Sequence, residues 1–107
     1  MTDMTDMTKF FILKNVWDFL QERGLYLIAL EVTNEGVTHK YGALQGDTKI
    51  ELDVLTHNDE DTTMYMSAYC PIRNIDFSIS TYCETVHVLD SVEKFVYRFT
   101  EKLQLKN

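Results

Sequence analysis

Between Lys49 and Tyr82 the chain alternates apolar and polar residues with a period of two, in three successive runs. Ile50, Leu52 and Val54 interleave with Lys49, Glu51 and Asp53. Met64, Met66 and Ala68 interleave with Tyr65, Ser67 and Tyr69, and Ile75, Phe77 and Ile79 with Asp76, Ser78 and Ser80. That period belongs to strands with one face buried and the other wet. The connections, His57 to Asp61 and Pro71 to Asn74, are made of turn formers. If Thr56 lies opposite Thr62, Val54 meets Met64, Leu52 meets Met66 and Ile50 meets Ala68. If Cys70 lies opposite Ile75, Ala68 meets Phe77 and Met66 meets Ile79. A slip of one residue in either pair would turn the apolar set into water, so the spacing predicts an antiparallel meander in this register.

The flanking segments follow other periods. Phe10, Leu13, Trp17 and Leu20 recur at helical spacing, with Ile12, Val16 and Phe19 widening the stripe. They predict a helix over 9–23, ended by Gly24, with Trp17 as a core anchor. Residues 1–8 repeat Met-Thr-Asp and are expected to form a flexible leader. Residues 25–33 predict a strand that is apolar on both faces, the pattern of a strand that is central or covered on both sides. Asn34 to Gly36 makes a tight loop, and 37–41 returns as the partner strand, with Glu31 facing His39. Residues 42–47 read as a flexible link and 84–89 as extended chain or loop. Val92, Phe95, Val96, Phe99 and Leu103 mark a second amphipathic helix, with capping-box spacing at Asp90 and Glu93. The predicted architecture is a single α+β domain over 9–107. It has an antiparallel sheet of about five strands, with the N- and C-terminal helices packed on one face.

Composition narrows the function classes. A chain of 107 residues with 45% hydrophobic content builds one core and is not disordered throughout. No apolar run approaches the roughly 20 residues of a membrane span, and no segment has the succession of a signal peptide. Cys70 and Cys83 fall near opposite strand ends, roughly 20 Å apart by strand rise, which no disulfide spans. Reduced thiols and these absences predict a cytoplasmic protein.

The formal net charge is −7, and residues 47–61 hold most of it, with six carboxylates against Lys49. Direct nucleic-acid binding there is not expected, because phosphate recognition needs clustered Lys and Arg. A basic partner would be drawn to the same region.

No catalytic set emerges. His39, His57 and His87 lack metal-ligand spacing, and there is no phosphate loop, nucleophile elbow or paired-cysteine motif. Neither a cofactor nor a metal is expected. The polar face of the meander is more informative: across it run Lys49–Tyr69–Asp76, Glu51–Ser67–Ser78 and Asp53–Tyr65–Ser80, with Thr63 beside Tyr82. Tyrosine offers large contact area with a polar tip at low entropic cost. The expected function is a small acidic protein-binding module. It would inhibit a partner by occupying a basic surface, including one that ordinarily holds nucleic acid. Glu51, Asp53, Asp59, Glu60, Asp61, Tyr65, Tyr69 and Tyr82 are the expected contact residues. The alternatives are a subunit that forms a homodimer through its tyrosine-rich face and a toxin-immunity protein. In size and charge, not in motif, the plan resembles phage-encoded inhibitors and immunity proteins.

Overall fold

Every predicted pair of the central meander is present. The structure, a computed structural model, describes the backbone of residues 6–106 and the side chains of 9–105; the first five residues of the expected leader lie outside the described residues. The elements run α1 (Asp6–Glu22), β1 (Tyr26–Val32), β2 (Gly36–Gln45), β3 (Thr48–His57), β4 (Asp61–Cys70) and β5 (Ile75–Glu84), then a 3-10 turn (Thr85–His87) and α2 (Val88–Lys106). The sheet is antiparallel throughout, in the order β1-β2-β3-β4-β5. Val54 lies opposite Met64, Leu52 opposite Met66, Ala68 opposite Phe77 and Cys70 opposite Ile75. The fold is therefore α+β, a five-stranded sheet with a helix from each end of the chain on one face.

That face holds the core. Ile50, Leu52 and Val54 from β3 and Met64, Met66 and Ala68 from β4 lie under Val16 and Leu20 of α1 and Val92 and Phe99 of α2. Phe77 and Phe99 stack at 5.1 Å. Thr62 and Thr85 are both fully buried, and their hydroxyls hydrogen-bond to each other at 2.8 Å. The pair satisfies two polar groups that would otherwise be costly to bury. It also ties the 3-10 turn to the sheet, helped by the Thr85 N–H, which donates to the Glu60 carbonyl at 2.7 Å.

Several boundaries differ from expectation, each for a local reason. Residues 42–45 are strand, because Ala43 opposite Ile50 continues the alternation; only Gly46 and Asp47 form the hairpin loop. Gly46 takes φ 63°, as tight hairpins require. α2 starts at Val88, so Asp90 lies inside its first turn rather than capping it, and pairs with Lys94 at 3.0 Å. Glu31 lies opposite Thr38, not His39.

Two corrections are larger. In α1, Val16 and Leu20 are fully buried, whereas Trp17 is 37% and Phe10 59% exposed. The apolar stripe is broad enough to face two ways, and its Val16 side takes the core. β1 is neither central nor covered: it is the sheet's edge, and all seven of its residues are exposed.

Gly36 is where the first hairpin meets β3. A Cβ there would collide with the Thr56 carbonyl oxygen and come within 2.9 Å of the His57 Cα. Both are backbone and cannot swing aside. Gly36→Ala should therefore lower unfolding free energy by about 2 kcal/mol or more. Urea denaturation checks this, and a loss below about 0.5 kcal/mol would show that the strands part easily.

Candidate functional site

Strand parity sorts side chains between the helix-covered face and an open polar face. Glu51 and Asp53 of β3, Tyr65 and Tyr69 of β4, and Tyr82 of β5 share the open face. It is a surface rather than a cleft, with Tyr82 78% exposed. Asp59 and Glu60 do not lie among the tyrosines. They belong to the β3–β4 turn at one end of the sheet, where Glu60 takes φ 71°, and Asp61 opens β4 directly after it. The β1–β2 loop joins them there: Asn58 donates its backbone N–H to the Glu35 carbonyl at 2.9 Å and its side-chain amide to the Asn34 carbonyl at 2.8 Å.

The acidic residues divide into two kinds. Glu51 pairs with Lys49 at 3.0 Å, and Asp53 lies 3.9 Å from Lys40, which also meets Glu31 at 3.5 Å. These charges are largely balanced within a ladder across three strands. Partial burial pushes the Asp53 carboxyl up from its usual range, and Lys40 opposes that shift. Asp61 is different. It lies directly opposite Glu84 on the open face, and neither makes an ion pair among the described residues. Tyr82 is two residues from Glu84 on the same face, opposite Thr63.

Sequence reasoning missed a second surface. Along β1, Leu27, Leu30 and Val32 point to the helix side, while Tyr26 and Ile28 lie on the open face beside Gly42. A bulge between Leu27 and Ala29 makes this split. On the helix side, an open groove of about 290 Å³ runs between α1 and the sheet. Phe10, Leu13, Trp17, Leu27, His39 and Tyr41 line it. The missing signal was available: five strands in simple meander order make the first one an edge, so its two-sided apolar pattern belongs to an exposed edge strand rather than to a central one.

Among the described residues, no group of His, Cys, Asp and Glu could hold a metal ion. No helix there is long and apolar enough to cross a membrane. Cys70 and Cys83 are free thiols, and burial pushes Cys83 upward. No family model, curated protein or solved structure matches the chain.

In the groove, the His39 Nδ1 is buried with no hydrogen-bond partner among the described residues, and burial holds the ring below its ordinary value of 6.5. The unfolded chain therefore accepts a proton that the folded chain resists. This contribution to stability is present above pH 6.5 and lost as pH falls through the folded value. Wild type should lose more stability than His39→Leu between about pH 7 and pH 5, read from urea midpoints. Parallel slopes would contradict the burial of the ring.

Proposed function

We propose that the protein is an acidic binding module whose open sheet face and β3–β4 end dock on a basic surface of another protein. The observation that carries this reading is the Asp61–Glu84 opposition. Like charges directly opposite one another across a strand pair destabilise a sheet. A lysine or arginine from a partner would turn that cost into attraction, with Tyr82 beside it to supply contact area. Glu51 and Asp53, already matched by lysines, would set the shape of the face more than its charge. Where the partner's surface ordinarily holds nucleic acid, the carboxylates would stand in for phosphates and the module would act as an inhibitor.

The reading with self-association through the tyrosine face has less support. Stacking two copies of that face would add to the repulsion already stored at Asp61 and Glu84.

The test separates stability from binding. Asp61→Asn with Glu84→Gln should raise unfolding free energy by a few tenths of a kcal/mol. It should also slow association with a basic partner protein captured at low salt, with the difference shrinking as salt rises. Association at the wild-type rate, or a salt-independent rate, would overturn the proposal.

A further inference from the structure

The two edges of the sheet are built differently. β5 shows water Asp76, Ser78, Ser80, Tyr82 and Glu84, the polar dressing that keeps an edge strand from pairing with other chains. β1 shows Tyr26, Leu27, Ile28, Leu30 and Val32, with Ile28 61% and Val32 79% exposed. Its only charge, Glu31, is turned back onto Lys40. Beside it, Phe10 and Trp17 of α1 extend the apolar surface on the helix side, and Leu44 of β2 extends it on the open face.

We propose that β1 is a homodimer interface, pairing antiparallel with β1 of a second copy so that one sheet runs through both. Three observations favour a second copy over another partner. The first is area. Half-exposed aliphatic and aromatic side chains of this size leave on the order of 100 Å² each. Together those named supply roughly 800 Å², what a stable interface takes from each partner.

The second is charge. Residues 6–46, which build α1, β1 and β2, carry four cations and five carboxylates and sum to −1 of the net −7. The acidic segment starts at β3, and across a β1–β1 seam the two β3 strands stand five strand spacings apart, about 24 Å. That is about three Debye lengths at physiological salt, so two copies with net charge −7 are not kept apart at this edge.

The third is self-complementarity. A two-fold axis at Leu30 sets Leu30 against its own copy and Ala29 opposite Glu31, with no like charges in register. An axis at Glu31 would oppose two carboxylates and is disfavoured. This interface leaves the open face and the β3–β4 turn free, so it stands independently of the function proposed above.

Sedimentation equilibrium across a concentration series tests it, on wild type, Leu30→Lys and Tyr65→Ala. Both substituted positions are exposed, so circular dichroism should report an unchanged fold. Wild type and Tyr65→Ala should dimerise alike. Leu30→Lys, which sets two ammonium groups at the axis, should weaken the dimer at least about 30-fold, as at an interface hot spot. A wild type that stays monomeric at about 100 μM would overturn the proposal and leave β1 for a strand of another protein. A dimer that survives Leu30→Lys but is lost in Tyr65→Ala would overturn it by moving the interface to the tyrosine face.

Discussion

Everything else in this molecule depends on hairpin parity. In an antiparallel pair, the register decides which side chains share a face, and a shift by one residue exchanges the two faces. β3 and β4 are locked by Thr56 opposite Thr62, and β4 and β5 by Cys70 opposite Ile75. Those registers send Leu52, Met64, Met66 and Ile75 under the helices and leave Tyr65, Tyr69 and Tyr82 in water. The same parity brings Asp61 against Glu84. Parity is broken once, at the β1 bulge, and there the apolar side chains divide between the two sides of the edge.

The surface that results has two halves of different character. One is polar and aromatic, with an acidic end whose opposed carboxylates gain nothing from the fold itself. The other is an apolar edge whose flanking charges nearly cancel. A sheet that ended at β1 with nothing beyond it would leave a row of backbone donors and acceptors beside oily side chains, the arrangement most prone to uncontrolled pairing. Closing that edge with a second copy would convert the liability into a defined contact. The open face and the acidic turn would remain available on each copy.

The central meander was legible in the sequence because its two wettings differ at every residue. Ile50 beside Glu51, or Met64 beside Tyr65, leaves no choice of face. α2 was legible for the same reason, since Val92, Phe95, Phe99 and Leu103 stand against Glu93, Lys94, Arg98 and Glu101. α1 was harder, because Phe10, Phe11, Trp17 and Phe19 make it apolar on most sides, and spacing alone could not choose between Trp17 and Val16 for the core. β1 fell at the edge rather than the centre because a strand apolar on both faces reads the same in either place, and apolar content alone does not give its position in the sheet. Among the candidate site residues, the tyrosines fell on one face as expected. Pairing of Glu51 with Lys49 and Asp53 with Lys40 was not readable, since it depends on where flexible ammonium groups settle.

The most direct test is residue-resolved amide hydrogen exchange along Ala29 to Val32 at high protein concentration. In a bare edge strand, alternate amides bond the neighbouring strand while the others face water. A covered β1 predicts that the outward amides are protected nearly as well as those bonded to β2. Outward amides exchanging at the rate of free chain, beside protected inward ones, would contradict a covered edge.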